Sequence, residues 1–305
     1  MKAKNVLISV LNYNNFESTK HCIISILNSN YHDYEILIID NCSTDNSFNK
    51  LKKQYPKLNI IKSKYNGGYA YGHQIGVDFA IKNQFEYIWI LNNDLKILKN
   101  TLSTLLQAAE NYGLGLFGSI SIKSTNPEIV NFGGGEDSDV LKPFNYNSYD
   151  NRPLKEYLLI QETRKVQAIE GSSFLIPMEV IKNFGFMDHK YFMYAEDIDY
   201  CFKLNKLGIY SFLVVESIVI HSGGESLKDN LSLQQYYRRR NHLFFLKKYY
   251  GKSIIINIYS KNGIFKPFLY LIKNLLKKKK DSLFYIYLAN LHAVVGKKGK
   301  LKKYV

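Results

Sequence analysis

The sequence predicts an α/β fold in which a mostly parallel sheet is flanked by helices and followed by a basic helical C-terminal extension. Apolar, strand-like runs alternate with helix-like segments up to residue 112, and this order favours parallel strands joined by right-handed crossovers. The run Ile88-Trp89-Ile90-Leu91 is apolar throughout, which is typical of a strand covered on both faces. With 305 residues, the chain can form one or two domains with a large core.

The elements of the first part follow in a regular order. Strands are predicted where apolar residues run together, and helices where the spacing of apolar residues is helical. A turn at Asn66-Gly67-Gly68 precedes the third helix. The predicted strands are residues 5–11, 35–39, 58–61 and 86–91, and the predicted helices are residues 16–27, 46–55, 69–82 and 101–112.

Regularity weakens after residue 112 and later returns. Glycines at 133–135 and a polar run at 145–152 predict loops and an antiparallel excursion. Because no segment of linker composition interrupts the chain up to residue 231, we predict one domain over residues 1–231. The segments that regain a regular pattern are residues 168–176, 195–207 and 208–221.

The remaining region, residues 232–305, is predicted to be helical, basic and rich in aromatic residues. Between Arg238 and Val305 there are 18 Lys or Arg residues and one acid, Asp281, while the rest of the chain holds 23 basic and 25 acidic residues. Such asymmetry predicts an anionic partner, either a membrane surface or nucleic acid. Two apolar, aromatic helices are predicted here, at residues 265–276 and 283–295, with Lys277–Lys280 between them.

Composition argues against several other classes of protein. No stretch reaches the roughly 18 apolar residues of a membrane span, and no apolar signal core follows Met1. The three cysteines, Cys22, Cys42 and Cys201, are too few and too scattered for a disulfide framework or a zinc cluster. We therefore predict a cytoplasmic protein, and the basic end predicts peripheral attachment to the inner face of the plasma membrane.

Polar residues end three of the predicted strands, so one rim of the sheet collects polar groups. These residues are Asn12, Asp40 and Asn92, and open α/β sheets bind ligands at the carboxyl ends of their strands. Asp94 follows two residues later, and Mg²⁺ or Mn²⁺ is often shared between one or two carboxylates and a substrate phosphate. Asp94 is therefore a candidate metal–phosphate ligand, although Asn and Asp also form ordinary turns.

Two neighbouring segments suit a nucleotide. Asp40 can accept a hydrogen bond from a nucleobase imide or a ribose hydroxyl, whereas Asp45 is better explained as a cap of the next helix. The glycine turn at residues 66–68 lets the backbone approach a ligand closely. Its spacing matches neither a Walker loop nor the dinucleotide fingerprint, so a plain turn is also consistent with it.

The later part contains a candidate base and a candidate histidine ligand. Glu196 and Asp197 begin a predicted helix, where acids are favoured by the helix dipole alone. The aromatic run Tyr191–Tyr194 lies just before them, and a partly desolvated carboxylate is a better base. His221 ends a β-branched strand before a glycine turn, which suits a ligand better than an ordinary structural histidine.

Six short motifs occur in one order along the chain. Together they resemble family 2 glycosyltransferases of the GT-A fold, in the branch that includes bacterial rhamnosyltransferases, over roughly residues 4–245. The segment Tyr237–Asn241 is similar to an Arg-Asn segment of that branch. The six motifs are Val10-Leu11-Asn12-Tyr13-Asn14, Asp40-Asn41-Cys42-Ser43-Thr44-Asp45, Asn66-Gly67-Gly68-Tyr69-Ala70, Leu91-Asn92-Asn93-Asp94, Glu196-Asp197-Ile198-Asp199-Tyr200-Cys201 and His221-Ser222-Gly223-Gly224-Glu225-Ser226.

This resemblance implies a GT-A catalytic domain with a Rossmann-like sheet that binds a nucleotide-diphosphate sugar. Asn12 and Asp40 would line the nucleotide base, Asn66 and Gly67 would flank the nucleotide, and Asn92 would contact the donor. Asn92 stands where the family's DxD motif begins with Asp, so metal affinity could be lower. Gln74 stands where the branch often has Asn, which leaves that contact unassigned.

The resemblance also implies which residues bind the metal ion and which residue is the catalytic base. Asp94, with His221 beside it, would bind a divalent cation, Mg²⁺ or Mn²⁺, on the donor diphosphate. Asp197 would be the catalytic base. Glu196 and Arg240 are possible contacts of the diphosphate or the acceptor.

The expected reaction is an inverting transfer of rhamnose, galactose or a similar hexose from a dTDP or UDP donor. The acceptor would be a saccharide, lipid-linked, in bacterial surface polysaccharide synthesis, and no nucleic-acid partner is expected. Two alternatives remain open from the sequence. The basic, aromatic end could bind nucleic acid, or the chain could bind a nucleotide sugar without catalysis if Asn92 disables the metal site.

Overall fold

We describe a computed structural model of the chain, covering residues 6–135, 151–160, 162–221, 231–251, 253 and 282–301. The strands are β1 (Val6–Asn12), β2 (Tyr34–Asp40), β3 (Asn59–Lys62), β4 (Tyr87–Asn92), β5 (Leu95–Ile97), β6 (Gly115–Lys123), β7 (Asn126–Phe132), β8 (Arg164–Val166), β9 (Ser173–Pro177) and β10 (Tyr210–His221). The helices are α1 (Phe16–Leu27), α2 (Ser47–Gln54), α3 (Tyr69–Lys82), α4 (Thr101–Tyr112), α5 (Leu154–Ile160), α6 (Met178–Phe184), α7 (Glu196–Asn205), α8 (Leu231–Tyr250) and α9 (Ser282–Val295).

The ten strands form one sheet, in which six strands point the same way. The order is β3-β2-β1-β4-β9-β6-β10-β5, with β7 beside β6 and β8 beside β10. Strands β3, β2, β1 and β4 pair in parallel, as do β6 and β10, whereas β9 runs antiparallel between β4 and β6. The predicted α/β fold with a largely parallel sheet is confirmed.

The strand register brings the predicted polar residues to one rim. Asn12 lies opposite Asp40 in the β1–β2 pair, and Leu11 lies opposite Asn92 in the β1–β4 pair. All three strands therefore end together, as the sequence predicts. His221 joins them from β10, because the end of that strand pairs with Leu95 of β5 just after Asp94.

The two faces of the sheet carry separate cores. Leu7 and Ile90 belong to the cluster on one face, whereas Ile8 and Trp89 belong to the cluster on the other, and all four are fully buried. Alternate residues of a strand point to opposite faces, so β1 and β4 contribute to both cores. This two-sided burial accounts for their continuous apolar sequences.

The central antiparallel strand β9 is held by polar as well as apolar contacts. Ser119 Oγ lies 2.8 Å from Ser173 Oγ and 2.8 Å from Ser217 Oγ, and the indole Nε1 of Trp89 donates to Ser173 Oγ at 3.1 Å. All four side chains are buried. The sequence predicts a regular segment at residues 168–176, but its place at the centre of the sheet depends on pairing with strands distant in the chain.

Helices α8 and α9 pack against each other and against the segment before α7. Phe192 of that segment belongs to one buried cluster with Tyr236, Tyr237, Phe284 and Leu288. The predicted helix at 283–295 is confirmed, whereas the helix predicted at 265–276 lies outside the described residues. Within the described ranges, every helix is too short or too polar to span a bilayer.

Candidate active site

A buried network fixes the ends of β1 and β2. The Asn12 amide donates from Nδ2 to Asp40 Oδ2 at 2.8 Å, and its Oδ1 accepts from Thr19 Oγ1 at 2.7 Å. Asp40 Oδ1 accepts from the backbone N–H of Ser43 at 2.9 Å. Asn12 and Asp40 are fully buried, so here they shape the loop after β2. Their contact with a nucleotide base stays a prediction.

The glycine turn before α3 joins this loop to the segment before α7. Asn66 Oδ1 accepts from the backbone N–H of Gly68 at 3.1 Å and from Nδ2 of Asn41 at 3.3 Å. Gly68 has a φ of 92°, and a Cβ atom at this position would lie 1.9 Å from the carbonyl oxygen of Phe192. Since both the backbone conformation and the lack of space exclude a side chain, glycine is required at this position.

A charged cluster forms where the chain after β4 meets the end of β10. The Nε2 atom of His221 lies 3.3 Å from Oδ2 of Asp94, and its Nδ1 atom lies 3.5 Å from Oε1 of Glu170. All three side chains are largely buried. Glu170 was not among the predicted site residues, because a single acid before a glycine carries no sequence pattern and only the fold brings it to His221.

The electrostatics of this cluster suit a cation. Burial would lower the pKa of His221, but the nearby carboxylates of Glu170 and Asp94 outweigh burial and raise its pKa to about 10. The two acids therefore favour the protonated form of the ring. Asp94 Oδ1 is buried without a hydrogen-bond partner among the described residues. This oxygen could therefore coordinate a cation.

The spacing of Asp94 and His221 also fits a divalent cation. Neighbouring ligands of an octahedral Mg²⁺ ion are about 3.0 Å apart, close to the 3.3 Å between Asp94 Oδ2 and His221 Nε2. The described residues contain no group of three or more His, Cys, Asp or Glu side chains arranged for a metal ion. Mg²⁺ commonly takes one or two carboxylates together with phosphate oxygens, so Asp94 is the member of this pair that suits it best, whereas imidazole suits softer divalent ions.

Asp197 is held by backbone donors beside this cluster. Its Oδ2 accepts from the N–H of Gly171 at 2.9 Å, and its Oδ1 accepts from the N–H of Ile198 at 2.9 Å. The Tyr69 hydroxyl donates to the carbonyl oxygen of Gly171. Gly171 follows Glu170, the acid beside His221, so adjacent residues connect the candidate base to the candidate metal ligands.

Burial changes the acidity of the two acids at the start of α7. It raises the pKa of Asp197 to about 6, despite the hydrogen bond from Gly171 that favours the ionised form. Burial, with the charge of Asp197 as the next cause, also raises the pKa of Glu196. Glu196 Oε2 is buried and has no hydrogen-bond partner in the described part of the chain. Asp197 is therefore a carboxylate whose pKa suits proton abstraction near neutral pH.

Arg240 lies behind these acids and is fully buried. Its guanidinium donates to the carbonyl oxygens of Tyr191 at 2.8 Å and Gly299 at 2.6 Å, and to Oδ1 of Asn241 at 2.9 Å. In this structure Arg240 holds the backbone that leads to Glu196. Its predicted contact with a diphosphate or an acceptor stays a prediction.

The remaining predicted residues line the same rim. Asn92 is half-buried, and its backbone N–H donates to the carbonyl oxygen of Ser172 at 2.9 Å, beside β9. A Cβ atom on Gly67 would lie 2.3 Å from the Tyr71 ring, so that glycine allows close packing on α3. The structure thus brings Asp94, His221 and the α7 acids to one centre, while the Asn12–Asp40 network and the glycine turn flank it.

Comparison with known proteins shows the family to which the chain belongs. The family model described as "Glycosyl transferase family 2" matches residues 7–183. The chain is 23% identical over 300 residues to "Low-salt glycan biosynthesis hexosyltransferase Agl10" of Haloferax volcanii, covering 96% of this chain and 92% of that protein. It is 23% identical over 234 residues to an "N-acetylglucosaminyl-diphospho-decaprenol L-rhamnosyltransferase" of Mycobacterium tuberculosis, covering 71% of this chain and 76% of that protein.

A solved structure shows the same fold. The chain resembles the mannosyltransferase PcManGT from Pyrobaculum calidifontis, solved in complex with GDP-Man and Mn²⁺, with a TM-score of 0.57 and 12% sequence identity. The match covers 96% of this chain and 86% of that one. The predicted GT-A fold is therefore confirmed, as is the predicted relationship to rhamnosyltransferases of family 2.

Proposed function

We propose that this chain, which belongs to glycosyl transferase family 2, is an inverting hexosyltransferase that uses a nucleotide-diphosphate sugar and a divalent cation. The donor sugar is rhamnose, galactose or a similar hexose on dTDP or UDP, and the acceptor is a lipid-linked saccharide. One observation carries the proposal: the buried carboxylate of Asp197 is joined through Gly171 and Glu170 to the Asp94–His221 pair.

In the proposed reaction, Asp197 accepts the proton of an acceptor hydroxyl. As that proton leaves, the hydroxyl oxygen forms a bond to the anomeric carbon, and the bond from this carbon to the diphosphate oxygen breaks. A single displacement inverts the anomeric configuration and needs no covalent sugar–enzyme intermediate. Because burial raises the pKa of Asp197, it is a stronger base than an exposed carboxylate.

Asp94 and His221 would hold the divalent cation on the leaving diphosphate. A cation bound there offsets the negative charge that develops on the diphosphate. Glu170 adds negative charge beside this arrangement, since its carboxylate lies 3.5 Å from Nδ1 of His221. Coordination by His221 requires loss of the proton that the two acids stabilise, so cation binding and proton release are coupled.

The two alternatives from the sequence have less support. Nucleic-acid binding would need exposed aromatic rings for base stacking. Among the described aromatic residues of the C-terminal region, Tyr236, Tyr237 and Phe284 are buried in one cluster with the segment before α7, while Tyr250 is exposed. A binding protein without catalysis would have no use for a buried carboxylate of raised pKa at Asp197. The division into a catalytic domain at 1–231 and a C-terminal region at 232–305 stays a proposal.

We further propose that α9 rests on the anionic inner face of the plasma membrane. Leu291, Val294 and Val295 form an exposed apolar strip near its end, and Lys297 and Lys298 follow as exposed cations. Apolar residues beside Lys are typical of interfacial helices. The decaprenol-linked substrate in the name of one relative is consistent with an acceptor presented at a membrane.

Asp197→Asn should abolish transfer and leave donor binding nearly unchanged, because it removes the base and preserves the shape. General bases contribute roughly 10²–10⁴-fold, so turnover should fall by at least about a hundredfold. Turnover and donor affinity are measured side by side, with Glu216→Gln as a control that removes an exposed carboxylate from β10. Retention of more than about a tenth of wild-type turnover would sink the assignment.

Asp94→Ala should weaken donor binding only when Mg²⁺ or Mn²⁺ is present, because the cation loses a protein ligand. Calorimetry with a nucleotide diphosphate, with and without the cation, measures the difference. Chelation of the wild type should produce the same loss of affinity and activity. Full activity of the chelated wild type would show that the metal role is wrong.

The chain should bind anionic vesicles more strongly than neutral ones in a flotation assay, and added salt should weaken the binding because charges are screened over about 8 Å at physiological salt. Replacing Lys277, Lys278, Lys279 and Lys280, which lie outside the described residues, with Gln should reduce it. The matched control replaces Lys50, Lys52, Lys53 and Lys57, four exposed lysines on or after α2, and should bind normally. Equal recovery with both vesicle types would contradict the electrostatic argument.

A further inference from the structure

The backbone that leads into the candidate base adopts an unusual conformation. Phe192, Tyr194 and Ala195 have φ angles of 72°, 66° and 80°, in the left-handed region that side chains with a Cβ rarely adopt. Ala195 is the residue that precedes α7, and Asp197 lies in the first turn of that helix. Such a conformation persists only when the surrounding structure holds it in place.

One side chain of α8 is directed at this backbone. Asn241 is fully buried, and its amide Nδ2 lies within hydrogen-bond distance of three carbonyl oxygens, those of Tyr191 at 3.1 Å, Met193 at 2.8 Å and Tyr194 at 2.8 Å. An amide nitrogen has two hydrogens, so at least one is shared. Three carbonyls can converge on one point only if a donor stands there.

Arg240 fixes the orientation of that amide. Its Nε donates to Asn241 Oδ1 at 2.9 Å, which leaves Nδ2 facing the carbonyls and settles which end of the amide is the nitrogen. A second guanidinium nitrogen donates to the Tyr191 carbonyl at 2.8 Å. The two residues therefore form one donor unit against the Tyr191–Tyr194 backbone.

The same backbone is also held by the glycine turn and α3. The Tyr69 N–H donates to the carbonyl oxygen of Phe192 at 2.8 Å, and Gly68 packs against that carbonyl. The Tyr69 hydroxyl also donates to Gly171, whose N–H bonds to Asp197. Movement of the backbone before α7 would therefore displace Asp197 from Gly171.

We infer that Asn241 and Arg240 are positioning residues for Asp197: they hold the Tyr191–Tyr194 carbonyls and so fix the start of α7. The inference rests on the proposed function of Asp197 as the base. Helix α8 would then support the active site by holding the backbone before α7, in addition to any contact with a membrane.

The pairing of α8 with α9 uses other side chains. Arg239 Nε donates to Asn290 Oδ1 at 2.9 Å, and the Tyr236 hydroxyl lies 2.6 Å from Nδ1 of His292. Asn241 Nδ2 instead makes its contacts with the backbone before α7. Loss of the α8–α9 contacts and loss of the Asn241 contacts should therefore have different consequences for catalysis.

The test compares Asn241→Ala and Asn241→Asp with Asn290→Ala in the full chain. We expect both Asn241 variants to lower kcat by about 10- to 100-fold, since small misplacement of a reacting group has effects of this size, while donor KM changes by less than about twofold. Asn241→Asp has the same size but presents an oxygen to the carbonyls, so it should be as damaging as Ala. Asn290→Ala should lose similar thermal stability and keep its kcat.

Hydrogen exchange supplies a readout that does not depend on activity. In Asn241→Ala, the amides of residues 189–199 and the amide of Tyr69 should exchange faster, while α9 amides should not. Unchanged exchange, or faster exchange with unchanged kcat, would overturn the inference, as would an Asn241→Asp variant with wild-type kcat. Absence of transfer by the wild type would refute the proposed function instead, and exchange alone would then decide whether Asn241 holds this backbone.

Discussion

The peptide unit between Glu170 and Gly171 is the constraint on which the site depends. Its N–H donates to Asp197, while the side chain of Glu170 faces His221. Because the two residues are adjacent in the chain, the candidate base cannot move relative to the candidate metal ligands without moving the start of β9. The turn that leads into β9 thus links the two chemical functions of the site.

Burial gives these groups their chemical character. The centre contains the carboxylates of Asp94, Glu170, Glu196 and Asp197, with His221 as the cation that contacts two of them. Buried acids without full compensation favour their neutral forms, which accounts for the raised pKa values of Glu196 and Asp197. The centre holds more carboxylates than positively charged groups, and a divalent cation would add positive charge there. The electrostatics and the proposed cofactor are therefore consistent.

The sequence predicts the first half of the fold because local pattern and tertiary role coincide there. Strands β1, β2 and β4 are buried on both faces, and each ends at a polar residue, so their apolar runs and the residues Asn12, Asp40 and Asn92 are visible together. In β9, buried Ser173 bonds across strands to Ser119. That pairing depends on strands distant in sequence, so local pattern does not reveal it.

Some residues of the site are likewise predictable from the sequence, and others are revealed only by the fold. Asp94, Asp197 and His221 stand in recognisable motifs beside elements that the sequence also predicts. Glu170 and Asn241 act through partners distant in the sequence, and the left-handed backbone before α7 has no glycine to mark it. The sequence indicates Arg240 as a residue near a ligand, whereas the structure shows its guanidinium bound to backbone carbonyls.

The most direct test of Asp197 as a buried base is the pH dependence of kcat/KM for sugar transfer. Because its pKa is raised to about 6, Asp197 is protonated below that pH and cannot accept a proton, so the rate should fall about tenfold for each pH unit below 6. This acid limb should persist in Glu196→Gln, which removes the neighbouring acid of α7 whose pKa is also raised. A rate that stays constant down to about pH 5, or a limb near the ordinary carboxylate value of about 4, would contradict the account.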